Sequence, residues 1–233
     1  MTMASVGQKV ISFVYFALIA RTLGPGDTGK YAFALAFTTV LVVFVDLGLT
    51  NVLVREAAKT REKIQAYFST ILSVKIFLGL LSYIAAVVII NLMGYSVETK
   101  HLVYLSAVTM LFDSLHLTLY GVLRALGNLK YEALGIIGSQ ALTLILGSIF
   151  LFLGFPLIWL ILAFTISSFL NVVYVTIILY KKYRINLTPH YDKKIFWFIG
   201  KITIPFALAA IFARIYSYID SILLSKLAGD VEV

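Results

Sequence analysis

Six ionisable side chains lie inside long apolar stretches of this sequence, where a charge is costly. They are Asp46, Lys75, Asp113, His116, Arg214 and Asp220. In a membrane such groups usually face the interior of a helix bundle or a water-filled cavity, where they bind ions or relay protons. Buried cations could hold an anionic ligand, and a histidine can titrate near neutral pH. The residue types therefore predict a polar interior that handles ions.

The clearest spacing pattern runs from Ser106 to Arg124. On a helical wheel, its polar side chains fall within about 80° of one another. They are Ser106, Thr109, Asp113, His116, Tyr120 and Arg124. Because this one face combines an acid, an imidazole, a phenol and a guanidinium, it favours a water-filled path over simple helix packing.

Membrane helices are the elements that must position these side chains. Hydrophobic residues make up 61% of the chain and charged residues 13%, whereas soluble domains have about 45–50% and about 25%. A helical span needs roughly 20 apolar residues, and barrel strands are only about half as long. We therefore predict an all-α integral membrane protein with about seven transmembrane helices. The apolar segments are Met3–Ala20, Tyr31–Val54, Ile64–Met93, Leu102–Leu123, Ala133–Leu153, Phe155–Tyr180 and Ile202–Leu227.

Shorter polar stripes occur on segments 1, 2 and 7. We expect these segments and segment 4 to line a cavity, and the uncharged segments 5 and 6 to lie outside it. Two alternatives stay open for segments 1 and 2: their hydroxyl groups could serve helix packing, and Asp46 could form a structural pair with Lys75 or Arg55. Lys75 could also snorkel to the interface. The stripes are Ser5, Gln8, Ser12 and Tyr15; Thr39, Asp46 and Thr50; and Arg214, Ser217, Tyr218, Ser221 and Ser225.

Basic residues are distributed unevenly between the two predicted sides of the membrane. Twelve lysines and arginines flank one side and four flank the other. The richer side should be cytoplasmic, which places the N-terminus in the cytoplasm and the chain in the cytoplasmic (inner) membrane of the cell as a multi-pass protein. This topology accounts for the net charge of +8 without nucleic acid. With no cysteine and no histidine cluster, we predict neither a metal site nor a cofactor.

The residues between segments 1 and 2 carry a family signature. Arg21, Gly24, Pro25 and Gly29, within the run that ends at Tyr31, resemble the R-x-L-G-P…G-x-Y pattern of polysaccharide exporters. These are the O-antigen and lipid-linked oligosaccharide flippases of the multidrug/oligosaccharidyl-lipid/polysaccharide exporter superfamily. Gly24 and Pro25 also explain the turn, because proline lacks a donor and glycine tolerates positive φ. Three further stretches resemble the same family: Asp46–Leu49 with Arg55-Glu56, Arg124–Ala133 and Ile219–Ser225.

The resemblance implies two lobes that rock around a central site by alternating access. Residues 1–200 would be a six-helix N-terminal lobe, and residues 201–233 the first helix of a truncated or missing C-terminal lobe. The implied substrate is a polyprenyl-diphosphate-linked oligosaccharide, moved across the cytoplasmic membrane. Its diphosphate and sugars would be bound by Arg214, Lys75, Arg124, Ser217, Ser221 and Tyr120. Coupling to an ion or proton would involve Asp113, His116, Asp46 and Asp220.

Other readings of the sequence also stay in view. A cation-coupled multidrug exporter of the same superfamily would favour acidic over basic cavity residues, which Arg214 and Lys75 oppose. A partial chain could be inactive, or a half-transporter that needs a second lobe or a homodimer. A seven-helix receptor would have the opposite orientation. A membrane glycosyltransferase would need acidic loops, whereas these loops are short and basic, so we do not expect an enzyme.

Overall fold

Every regular element in the described part of the protein is a helix. The computed structural model describes residues 2–204, 207–208, 211–212 and 216, and the side chains from residue 6 onward. A short 3₁₀ turn at Arg61–Lys63 leads into α4, and a further helical stretch covers residues 193–204. The helices are α1 (Thr2–Leu23), α2 (Pro25–Asp46), α3 (Leu49–Lys59), α4 (Ile64–Leu92), α5 (Val97–Ala125), α6 (Lys130–Phe152) and α7 (Ile158–Tyr183).

Six stretches in this part of the chain are long and apolar enough to cross a bilayer. They are Val6–Leu23, Pro25–Asp46, Arg61–Leu92, Val97–Ala125, Lys130–Phe152 and Ile158–Tyr183. Large apolar side chains such as Phe13, Phe77 and Phe152 are exposed on their outer faces, as expected for helices solvated by lipid. The all-α membrane class is confirmed. The seventh span, predicted at Ile202–Leu227, lies mostly outside the described residues and stays a prediction, as does the division at residue 200.

Helix α5 is the centre of the bundle. It packs against α2, α3, α4 and α7, while α6 joins α7 to α1. One apolar cluster gathers around Leu53, Phe68 and Leu123, and a second gathers around Phe33, Leu102 and Ile161. Because α5 contributes to both clusters, its side chains contact most of the lobe.

The predicted segment Tyr31–Val54 is divided in the structure. Helix α2 ends at Asp46, and Leu47 and Gly48 both take left-handed conformations, with φ of 45° and 80°. Left-handed residues close helix C-termini, and glycine adopts them without a Cβ penalty. Helix α3 then buries Leu53 and Glu56 while Arg55 stays exposed. The prediction of one continuous segment was therefore wrong at its C-terminal end.

The turn between α1 and α2 follows the predicted glycine–proline signal. Gly24 has φ of 78° and Pro25 is the first residue of α2, a position where the missing proline donor costs nothing. The hydroxyl of Thr28 donates to the Gly24 carbonyl at 2.6 Å. Arg21 is exposed in the last turn of α1, and Gly29 is buried in α2. Gly24 and Pro25 therefore shape the turn.

Candidate functional site

The polar face of α5 lies inside the lobe, and most of its side chains have a partner on another helix. The hydroxyls of Ser106 and Thr38 on α2 share a hydrogen bond of 2.7 Å. Thr109 shares one of 2.7 Å with Thr165 on α7. Pairing of this kind satisfies polar groups that hydrocarbon would leave unpaired. The stripe therefore joins α2, α5 and α7.

Asp113 lies at the middle of this face and opens into a small polar cavity. The hydroxyl of Ser168 on α7 donates to the Asp113 carboxylate at 2.6 Å. The Nδ1 atom of His116 is 3.6 Å from the same carboxylate, which is within ion-pair range and too long for a hydrogen bond. The cavity holds about 170 Å³ between α2, α5 and α7. Its lining is Leu35, Thr38, Thr39, Val42, Ser106, Thr109, Met110, Asp113, Leu117 and Phe164.

This cavity has the chemistry of a small cation or proton site. One carboxylate and four hydroxyl-bearing side chains border it, and oxygen ligands of this kind suit hard cations and water. Among the described residues, no cluster of three or more metal-ligating side chains occurs.

Tyr120 continues the face toward the next turn of α5. Its phenol donates to the Asn171 amide oxygen at 2.5 Å. Gly135 on α6 lies directly against the phenol, so even a methyl group at position 135 would collide with it. Tyr120 is fully buried, and its hydroxyl is engaged within the bundle.

A second polar cluster surrounds Lys75, whose side chain is only 5% exposed. Its ammonium donates to the Asp46 carboxylate at 2.5 Å and to the Thr118 hydroxyl at 2.6 Å. Two longer bonds, each 3.1 Å, reach the Thr50 hydroxyl and the Ser114 carbonyl. The structural pair between Asp46 and Lys75 is therefore confirmed, and the snorkelling alternative for Lys75 is wrong.

Arg124 ends the polar face of α5 in a bidentate ion pair. Its Nε and Nη2 atoms both donate to the carboxylate of Glu132 at the start of α6. Glu132 is fully buried, and the side chain of Arg124 is 30% exposed. Fork-to-carboxylate geometry is among the strongest in proteins. The pair fastens α5 to α6 across the turn at Gly127, so the charge of Arg124 is already balanced.

The match to a family model decides the identity of the chain. All 233 residues, 1–233, match the family described as polysaccharide biosynthesis protein. The chain belongs to this family. The exporter resemblance inferred from its motifs is thereby confirmed.

Known relatives of this polysaccharide biosynthesis protein are longer than the chain. The capsular polysaccharide biosynthesis protein CapF of Staphylococcus aureus is 26% identical over 231 residues, covering 98% of this chain and 56% of CapF. The chain thus spans about half the length of the curated relative that it matches.

Solved structures share the fold of this polysaccharide biosynthesis protein. An inward-facing multidrug resistance MATE family transporter of the MOP superfamily has a TM-score of 0.69 at 16% identity, covering 97% of this chain and 55% of that one. A second solved chain, named only protein A, has a TM-score of 0.74 at 15% identity and covers 98% and 55%. The likeness establishes the fold of the lobe.

The polar wall of this polysaccharide biosynthesis protein differs from the predicted one. The sixth segment, α7, was predicted to lie outside the wall because it has no charge. In the structure its residues Thr165, Ser168 and Asn171 supply most of the polar partners of α5. Their spacing of three residues is the signal that a search for charges overlooks. The amide nitrogen of Gln140 on α6 donates to the hydroxyl of Ser12 on α1 at 2.7 Å. This contact agrees with the alternative that the hydroxyl groups of the first segment serve helix packing. Arg214, Ser217, Asp220 and Ser221 lie outside the described residues.

Proposed function

We propose that this chain is the N-terminal lobe of a flippase that moves a polyprenyl-diphosphate-linked oligosaccharide across the cytoplasmic membrane by alternating access. One observation supports it most: residues 1–233 match the polysaccharide biosynthesis family, and the described residues fold as a membrane lobe with a polar cavity inside. Lobes that rock around a site near the bilayer midplane are the general plan of such transporters.

The diphosphate of the substrate needs cationic side chains, and the candidate cations differ in whether a carboxylate already neutralises them. Lys75 and Arg124 are matched by Asp46 and Glu132, so each would have to exchange its partner before it bound an anion. Arg214 therefore remains the first candidate for the diphosphate, with Ser217, Ser221 and Tyr120 as candidates for the sugars. The cytoplasmic N-terminus remains part of this proposal.

Coupling to an ion or proton is proposed at Asp113, with His116 beside it. The carboxylate lines a polar cavity and accepts a hydrogen bond from a single hydroxyl, so a proton or small cation could bind there without displacing a lysine or an arginine. Asp46 is a weaker candidate, because Lys75 already neutralises it. Asp220 stays a candidate from sequence alone.

The test is flipping of a fluorescent lipid-linked oligosaccharide by the product of the whole gene in vesicles. Arg214→Ala should reduce the initial rate at least about tenfold, the effect of losing about 1.4 kcal/mol of anion binding. Arg214→Lys is the matched control and should keep most of the rate, since it retains the charge. A wild-type rate in Arg214→Ala would reject Arg214 as the anchor, and no flipping by the unmodified protein would reject the function.

A cation-coupled drug exporter is the second candidate, and Asp113 in the polar cavity favours it. The Asp113 carboxylate could bind a cationic drug, whereas the flippase proposal does not require a cationic substrate. Competition separates the two: cationic dyes should not slow flipping of the lipid-linked sugar if the first proposal holds.

Because the relatives are about twice as long, intact mass from native membranes and cross-linking would decide between a second lobe and a homodimer as the partner.

A further inference from the structure

A long apolar groove runs along the outer face of the lobe and shares no lining residue with the polar cavity. Its volume is about 680 Å³, within the range of about 300–1,000 Å³ that is usual for ligand sites. One wall is α4 and the other is the helical stretch that begins at residue 193. The lining is Leu47, Leu49, Thr70, Ile71, Ser73, Val74, Phe77, Leu78, Tyr191, Phe196, Ile199, Gly200, Thr203, Ile204 and Ala207.

The groove has the dimensions of a membrane-embedded chain site. On α4 it extends from Thr70 to Leu78, and on the opposite wall the described helical stretch lines it from Phe196 to Ile204; each is about 12 Å at the helical rise. The hydrocarbon of one leaflet is about 15 Å deep. Phe77 and Ile204 at its rim are 66% and 62% exposed, so the groove opens sideways to lipid.

A cationic pocket lies at one end of the same region. It is lined by Tyr180, Lys181, Arg184 and Asn186, with a volume of about 310 Å³. Within the described part of the chain, neither Lys181 nor Arg184 forms an ion pair with a carboxylate. Two exposed cations without a carboxylate partner among the described residues match a multiply charged anion.

Hydrogen bonds to α4 join the cationic pocket to the groove. The Gln65 amide nitrogen donates to the Asn186 carbonyl at 2.9 Å, and the Asn186 nitrogen donates to the Gln65 amide oxygen at 3.0 Å. Gln65 also donates to the Ser69 hydroxyl at 2.9 Å, and Thr70, the next residue, lines the groove. Gln65, which bonds Asn186 of the pocket, and Thr70 of the groove are therefore five residues, or about 7.5 Å, apart along α4.

We propose that this composite site binds the lipid-linked substrate itself, with the polyisoprenoid chain in the groove and the diphosphate against Lys181 and Arg184. The inference rests on the proposed function for the choice of lipid. It goes beyond that function in giving the hydrocarbon chain its own site on the outer face of the N-terminal lobe, where the chain stays in lipid while the sugar crosses through the interior.

Charge complementarity decides for this occupant over others. An ordinary zwitterionic phospholipid would bring a cationic group to Lys181 and Arg184, whereas a diphosphate brings only negative charge. A further polypeptide helix would bury the groove but would leave both cations unmatched. An apolar chain with a diphosphate end satisfies both halves of the site at once.

Photo-crosslinking tests the groove directly, because the chain in membranes can carry benzoylphenylalanine at a chosen position. The probe is tritiated polyprenyl diphosphate in vesicles of phosphatidylethanolamine and phosphatidylglycerol. With benzoylphenylalanine at Phe77, we expect at least about fivefold more labelling than at Phe152, a preference of about 1 kcal/mol. Phe152 is the matched control, since it is 74% exposed to lipid and lies outside the groove.

One variant tests each half of the site, and a third variant is the control. A Cβ at Gly200 would meet no atom within 4 Å, so Gly200→Trp should fill the groove without a clash and abolish labelling at Phe77. Gly138→Trp, also free of neighbours within 4 Å and remote from the groove, should leave labelling unchanged. Lys181→Gln/Arg184→Gln should remove the preference for polyprenyl diphosphate over neutral polyprenol.

Each outcome decides the inference. Equal labelling at Phe77 and Phe152 would show an ordinary lipid-facing surface, and a cross-link from Phe77 to the chain itself would show a groove filled by polypeptide. Either result overturns the proposal. Flipping without labelling of the groove would reject this binding site and leave the flippase proposal intact. Labelling without flipping would support the binding site and reject the flippase proposal.

Discussion

Lys75 is the most completely paired charge in the described part of the lobe. An ammonium has three protons, and here four oxygens from α2, α3 and α5 lie around it. A charge placed in the membrane interior persists only when it is paired in this way. The Lys75–Asp46 pair therefore stabilises the packing of the bundle, and this role comes before any role in binding.

Removing one member of this pair should cost more than removing both. Lys75→Met should lower the free energy of unfolding by about 3 kcal/mol, because it leaves a carboxylate uncompensated at membrane depth. Asp46→Asn/Lys75→Met should recover part of that loss. Lys59→Met, at an ammonium that is 54% exposed and paired with Glu56, should change little, by about 0–1 kcal/mol. Denaturant titration in detergent measures all three, and additive costs would contradict the pairing argument.

Two glycines one turn apart on α6 should respond to alanine with opposite signs. Gly135→Ala should destabilise the protein by about 1–3 kcal/mol, because its Cβ would collide with the phenol of Tyr120 and meet Asn171 at 2.8 Å. Gly138→Ala has no neighbour within 4 Å and should gain up to about 1 kcal/mol from helix propensity. Thermal unfolding followed by fluorescence would show this, and equal shifts would rule out the close contact.

At the scale of elements, the polar faces of α5 and α7 hold the centre of the lobe together. Three hydrogen bonds cross this contact, and on α5 they involve Thr109, Asp113 and Tyr120. Hydrogen bonds between membrane helices average about 0.6 kcal/mol and reach about 1.7. The contact is thus specific in register and modest in energy, which would suit the helix movement that the proposed alternating access requires.

A double-mutant cycle on Tyr120 and Asn171 measures one of these bonds. Tyr120→Phe and Asn171→Leu should each destabilise the protein, and their coupling energy should be about 0.6–1.7 kcal/mol. The matched cycle uses Asn91 and Tyr104, whose amide and hydroxyl are bonded at 2.7 Å on an exposed part of the lobe; its coupling should be smaller. A coupling of zero for Tyr120 and Asn171 would mean that the bond is absent in the membrane.

The spans were predictable because hydrophobic length is a local property of the chain, and α4 and α5 begin and end near the predicted limits. The polar face of α5 was also readable, since helical periodicity fixes which residues share a face. Its partners were not, because periodicity does not say which helix a face will meet. The break at Leu47 has little signal beyond Gly48, and the groove along α4 depends on residues more than 100 positions apart.

For the whole molecule, the distribution of basic residues makes a topology prediction that single cysteines can test. The sequence has no cysteine, so each introduced thiol is unique. Lys59→Cys and Lys193→Cys should react with a membrane-impermeant maleimide only after cells are opened, because their side is predicted to be cytoplasmic. Glu98→Cys and Gly154→Cys should react in intact cells. The reverse pattern would invert the proposed orientation and place the cationic pocket beside the outer leaflet.

The pairing of Asp46 with Lys75 has a consequence for biosynthesis. These residues are 29 positions apart, so the ribosome completes α2 before the cation that neutralises its terminal acid has been made. A chain growing at about 5–20 residues per second leaves Asp46 waiting for a second or more, with α3 and the 3₁₀ turn emerging in between. The packing of α2 is therefore complete only after α4 has been made, and a substitution at Lys75 would leave the Asp46 carboxylate without its counter-charge at this step of assembly.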